Sequence, residues 1–196
     1  MRLILASASP RRRDLLAQAG VPFELDPADV DESTDELDPI VVATSLAERK
    51  ARATAARYAA QEGLYVLGAD TVVGVEVDGV DRLLGKPEGP EEARAMLSWL
   101  SGTVQRVVTG IAVCRLQDGE LVSDHELTRV HMRAITPEEI EAYVASGEWE
   151  GKAGGYAIQE TADRFVTRLE GGGFENVVGL PVERTLELLR RAGADF

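Results

Sequence analysis

Apolar positions recur with two different periods along the chain, and the switches between them predict its elements. The run "RLILAS" reads as a short apolar strand. It leads into "SASPRRRDLLAQAG", residues 7 to 20, where Ser9 is a good N-cap and Pro10 suits the first helical position. Leu15, Leu16 and Ala19 then form a buried stripe that Gly20 stops. A strand-to-helix turn of this kind is where open α/β folds place ligands. "ELDPADVDESTDEL" reads as an acidic loop, and Asp38-Pro39 opens a long Ala-rich helix that runs to Gly63. "LYVLGADTVVGVEVDGVDRLLG" predicts a buried strand with a hairpin at Asp78-Gly79. "GPEEARAMLSWLSG" is a helix, and the β-rich stretches "VQRVVTGIAVCRL" and "ELVSDHELTRVHMRAI" are joined at "QDGE". Thr136-Pro137-Glu138-Glu139 forms a capping box that opens "PEEIEAYVASG". Strand signals follow in "GYAIQ" and "RFVTRLEGG", and "PVERTLELLRRAG" closes the chain as a helix. With neither a repeat nor a long linker, residues 1–196 read as one domain.

Several charges break this pattern. Arg11, Arg12 and Arg13 stand at a helix N-terminus, whose partial positive charge and unpaired N–H groups favour anions. Asp70 interrupts the apolar run "YVLGADTVVGV", where an unpartnered carboxylate would cost several kcal/mol. It therefore needs a cation, a metal or an exposed strand end. Lys86 sits in the rigid turn "LLGKPEG", and Lys50 lies on the long helix in "LAERKARA", where an ordinary solvated face is the plainer reading. The glycine runs "GKAGGYAIQ" and "EGGGFENVVGLP" permit close backbone approach to a ligand but also suit plain turns.

Composition narrows the choice. Lys and Arg total 21 against 34 Asp and Glu, a net charge of −13, which argues against a sequence-independent grip on nucleic acid. Phosphate binding must then be local. The one cysteine, Cys114, lies in the apolar run "GIAVCRL" and reads as a buried thiol in a reducing compartment. No apolar stretch approaches the roughly 20 residues of a membrane span, and the N-terminus does not read as a signal peptide, so a cytoplasmic location with no membrane partner is expected. "GEWEGKA" fails as a P-loop, and His125 and His131 lack zinc spacing and read as surface residues. Arg129, His131 and Arg133 share a strand face that is solvated or faces a subunit.

Eight segments together carry a resemblance. In order they are "LASASPRR" at 5–12, Glu32, "LAERKA" at 46–51, "LGADTVV" at 67–73, "GKP" at 85–87, "LSG" with "VVTG" at 100–110, "SGEWEGKAGGYAIQ" at 146–159 and "VVGLP" at 177–181. The chain resembles the Maf family of nucleoside triphosphate pyrophosphatases, also called septum formation proteins. One position departs: Gln105 stands where the family usually has histidine, and glutamine does not titrate near neutral pH. Gln105 is therefore left out of the candidate catalytic set.

The resemblance implies an α/β fold like that of inosine triphosphate pyrophosphatases, with a mixed elongated sheet flanked by helices in two lobes and the nucleotide in a central cleft. It implies hydrolysis between the α- and β-phosphates, a divalent cation, Mg²⁺ or Mn²⁺, and usually a homodimer. Ser7, Ser9, Arg11 and Arg12 would bind the triphosphate, and Lys50 and Lys86 would add fixed positive charge. Glu32 and Asp70 would hold the metal, with Asp70 also the candidate base, although tight metal binding makes a poor base. "KAGGYAIQ" resembles the branch acting on dTTP and UTP, including modified uridine triphosphates, with Gln159 and Thr71 near the base. A nucleotide-binding regulator of cell division with little turnover and a phosphatase that removes only the terminal phosphate are the competing readings.

Overall fold

The computed structural model describes residues 1–159 and 161–196. Among these, seven strands form one mixed sheet: β1 (Arg2–Leu5), β2 (Glu24–Leu25), β3 (Leu64–Val77), β4 (Val80–Leu84), β5 (Val104–Arg115), β6 (Leu121–Met132) and β7 (Val166–Gly171). The order is β2-β1-β3-β5-β6-β7, with β4 on β3. β1 runs parallel to β2 and β3, and the other pairs are antiparallel. Six α-helices flank it: α1 (Pro10–Gln18), α2 (Pro39–Ala55), α3 (Pro90–Leu100), α4 (Pro137–Ser146), α5 (Phe174–Val178) and α6 (Val182–Arg191).

Both faces of β3 and β5 are covered, which is why they read as nearly continuous apolar runs rather than strict alternation. Leu67, Ala69 and Ile111 pack with α1 and α6 through Leu16 and Leu188. On the other face Val66 and Ala112 meet Ala47 and Ala51 of α2. Further along the sheet, Val75 and Val107 pack with Leu97 of α3 and Tyr143 of α4.

α2 lies on the sheet at two glycines. A Cβ at Gly68 would stand 2.2 Å from the Ala47 carbonyl oxygen, and one at Gly110 would stand 2.3 Å from that of Ala43. No side chain fits between helix and sheet at these points, so the position of α2 is fixed by contact with backbone.

One edge of β3 is paired twice, with an interval between. Leu64–Leu67 pair with β1 and Val73–Val77 with β4, whereas residues 68–72 have no strand beside them on that edge. The opposite edge pairs with β5 throughout Tyr65–Gly74. β1 ends at one lip of this interval and continues into Ser7 and α1; β4 ends at the other and continues into Gly85 and Lys86. Asp70 and Thr71 lie within it.

Three local expectations change. α2 stops at Ala55 rather than continuing to Gly63, because Arg57 and Tyr58 turn to Asp26, at 2.5 and 2.9 Å. "GYAIQ" forms no strand: Ala153–Gly155 is a 3-10 turn with Gly154 and Gly155 at φ +71, a left-handed backbone that interrupts extension. The glycine-rich "EGGGFENVVGLP" contains the short helix α5. The Asp78-Gly79 hairpin and the Thr136–Glu139 capping box form as expected. Thr136→Ala removes the side-chain acceptor of the Glu139 N–H and should lower unfolding free energy by about 1 kcal/mol in a denaturant titration.

Candidate active site

A single cavity of about 710 Å³ opens over the unpaired interval of β3, lined by Ser7, Ser9, Arg11, Arg12, Glu32, Lys50, Asp70, Thr71, Lys86 and Gln159. All ten candidate residues therefore meet in one place, although they come from six separate stretches of chain. The cavity has two chemically different sides.

On the α2 side, Lys50 Nζ stands 2.5 Å from Asp70 Oδ1 and 2.6 Å from Glu32 Oε1. Lys50 and Asp70 are nearly buried, with side chains 11% and 12% exposed, whereas Glu32 is half exposed on the loop before α2. Asp70 thus finds the partner its place in an apolar strand demands. Burial acts to raise the Glu32 carboxyl, yet the Lys50 hydrogen bond and charge, with Lys86 and Arg12 behind them, hold it below its ordinary value. Lys86 is exposed at the lip formed by the end of β4.

The three arginines of α1 separate. Arg13 is exposed and pairs with Asp14 at 3.1 Å. Arg11 faces the cavity and makes no side-chain hydrogen bond among the described residues. Arg12 turns back into the protein: Nε donates to the Gly179 carbonyl at 2.7 Å, Nη1 to Ser7 Oγ at 3.1 Å and Nη2 to Thr71 Oγ1 at 2.9 Å. Burial lowers the pKa of this guanidinium and the negative charge of Asp70 opposes that, but an arginine stays charged. Three of its five donors are committed, leaving two for a ligand. Ser9 caps α1 through the Arg12 N–H at 3.5 Å, and Ser7 Oγ also accepts from the Ser9 N–H at 3.3 Å.

The second side is nearly uncharged. Tyr156, Ile158 and Gln159 approach from the turn after α4, and Val177 and Val178 from α5. Gln105 does not line the cavity. It is fully buried behind Tyr156 and donates to its hydroxyl at 3.0 Å, while its own Oε1 has no hydrogen-bond partner among the described residues. Burial and the neighbouring Tyr143 push the Tyr156 hydroxyl well above the ordinary phenol range.

Sequence reasoning missed Thr109 and Asn176, both fully buried and bonded to one another behind Thr71. For Thr109 the signal was present, since like Asp70 it is a polar residue inside an apolar run, "VVTGIAV"; Asn176, which follows Glu175 in a glycine-rich segment, carried none. The histidines stay outside the cavity, partly buried rather than on open surface, with His131 Nε2 at 3.2 Å from Glu170. Cys114 is buried and its thiol is pushed up by burial, which makes it unreactive. Among the described residues no three metal-ligating side chains cluster, and no helix is long and apolar enough to cross a membrane.

Comparison with known proteins identifies the family. The family described as "Maf-like protein" matches residues 2–192. A dTTP/UTP pyrophosphatase of Moorella thermoacetica is 47% identical over 195 residues, covering 99% of this chain and 96% of its own. Proteins of the same name from Hyphomonas neptunium and Symbiobacterium thermophilum are 47% and 46% identical, covering 97% and 98% of this chain and 95% and 94% of theirs. With likeness running from end to end through every segment that builds the cavity, the chain belongs to the family of Maf-like proteins.

Proposed function

We propose that this protein hydrolyses dTTP and UTP, together with modified uridine triphosphates, to the nucleoside monophosphate and pyrophosphate, and so clears surplus or damaged pyrimidine nucleotides. One observation carries the reading: a cavity large enough for a nucleotide joins a strongly charged side to a nearly uncharged one. Phosphates belong with Arg11, Lys50 and Lys86, the base with Thr71, Gln159 and the apolar wall.

The donor set suits a divalent cation. Glu32 and Asp70 already converge on one positive charge, the Lys50 ammonium, and two carboxylates completed by phosphate oxygens and water are what Mg²⁺ or Mn²⁺ takes. Bound there, the cation would polarise phosphate oxygens and neutralise charge building on the leaving group. Lys50, Lys86 and Arg11 hold fixed positive charge around the phosphates, which shields phosphorus for attack and receives the developing pyrophosphate charge. Asp70 would orient the attacking water and take its proton. A buried carboxylate beside a polyanion is costly for binding alone, which favours turnover over a purely regulatory role. The free, buried Cys114 supports a reducing cytoplasmic setting, and Val104, 46% exposed and paired in register with His131, supports a homodimer.

The test is to incubate the protein with each nucleoside triphosphate and Mg²⁺ or Mn²⁺ and identify products. Monophosphate plus pyrophosphate from dTTP and UTP is the expected result. Diphosphate plus orthophosphate would make it a terminal phosphatase, and binding without products a regulator; either would overturn the proposal.

A further inference from the structure

Two carboxylates meet at Lys50, but they are held differently. Asp70 belongs to β3, whereas Glu32 lies within residues 26–38, which form neither strand nor helix. Backbone outside a ladder or helix keeps its conformational freedom unless other contacts remove it. Glu32 therefore depends on whatever ties this loop down.

α2 and the turn after it supply ties at three levels. Arg57 Nη1 and the Tyr58 hydroxyl hold the Asp26 carboxylate, at 2.5 and 2.9 Å. One turn back, Thr54 Oγ1 donates to the Asp26 carbonyl at 2.9 Å. Both of these secure the start of the loop rather than Glu32. The third tie is Arg49, whose Nη1 donates to the Asp31 carbonyl at 3.1 Å and to the Ser33 carbonyl at 3.5 Å, on either side of Glu32. Asp31 Oδ1 accepts from the Ser33 N–H at 2.9 Å and closes the same three residues into a turn. Consecutive helix residues thus divide the work. Lys50 takes the Glu32 carboxylate, and Arg49 takes the main chain that carries it.

The two contacts differ in what disturbs them. A phosphate or a cation entering the cleft competes for the partners of the Lys50–Glu32 pair, one an ammonium and the other a carboxylate. The Arg49 bonds end on backbone oxygens, and Arg49 is exposed and outside the cavity lining, so ligand binding does not call on it.

We infer that Arg49 is a positioning residue, one that grips the main chain on both sides of Glu32 and so keeps this carboxylate at the phosphate side while a ligand occupies the cleft. The role of Glu32 at the phosphates rests on the function proposed above.

The test is a double-mutant cycle of Arg49→Met, which keeps an unbranched stem without the donors, and Glu32→Gln, read as kcat and KM for UTP. Arg49→Met alone should lower kcat about tenfold and leave KM within about twofold, because Arg11, Lys50 and Lys86 still hold the phosphates. In the Glu32→Gln background the same change should cost less than about twofold, since no carboxylate is left to position. Losses that multiply would mean that Arg49 acts on the fold or on charge at large, and would overturn the inference. Hydrogen exchange without nucleotide or metal gives a second readout. Amides of residues 29–35 should exchange about tenfold faster in Arg49→Met while those of β3 keep their rates, with Tm within about 2 °C of the wild type. Unchanged exchange in 29–35 would overturn the inference. Should the wild type release no pyrophosphate from UTP, the proposed function fails, and the exchange comparison still decides whether Arg49 holds the loop.

Discussion

Replacing Asp70 by asparagine should lower pyrophosphate release by roughly three orders of magnitude, the range general-base removal commonly reaches, while nucleotide binding persists. The two side chains have nearly the same shape, so the cavity keeps its form. The buried Lys50 ammonium loses one carboxylate but retains the other, Glu32 at 2.6 Å, and is not left as an unpaired buried charge. Thermal unfolding should therefore change little, and titration calorimetry with UTP should still register binding. Full activity in Asp70→Asn would remove this carboxylate from the chemistry. Loss of folding would mean that its pairing with Lys50 serves stability first.

The second large effect lies away from the chemistry. Gly110→Ala places a methyl group 2.3 Å from the Ala43 carbonyl oxygen and 2.5 Å from the Thr44 nitrogen, both backbone atoms that no rotamer change can clear. α2 must lift from the sheet, at a cost of about 3 kcal/mol or more. For a chain of this size that is a fall of roughly 10 °C in Tm by calorimetry. Lys50 rides on the same helix, two turns beyond the contact, and moves with it. The variant should consequently lose kcat even at temperatures where it remains folded. An unchanged Tm would show that α2 does not bear on Gly110 as described.

Much of the architecture was legible because the signals are local. Ser9-Pro10, Asp38-Pro39 and Thr136-Pro137 each cap and open a helix within a few residues, and the structure starts α1, α2 and α4 there. The failures have distant causes. The Ala-rich stretch after Ala55 has every propensity to stay helical, but Asp26, about thirty residues earlier, holds Arg57 and Tyr58 in another direction. Likewise "GYAIQ" has a strand composition, yet two left-handed glycines bend it around the cavity.

The site divides the same way. By its own sequence, Asp70 in an apolar run announces a charge that needs a partner, and the arginines at a helix start announce an anion, since burial and the helix dipole set those energies from residue type and place alone. Which groups answer them was decided only in three dimensions. β1 and β4 share one edge of β3 and leave an interval between them, and α2, seated on two glycines, brings Lys50 to it. Arg12 and Arg13, adjacent and identical in type, end respectively in a partly buried clasp and in water, because only the folded chain brings Gly179, Ser7 and Thr71 within reach of the first. A hydrogen bond needs an acceptor within about 3 Å in the right direction, and neighbours along the chain do not specify that.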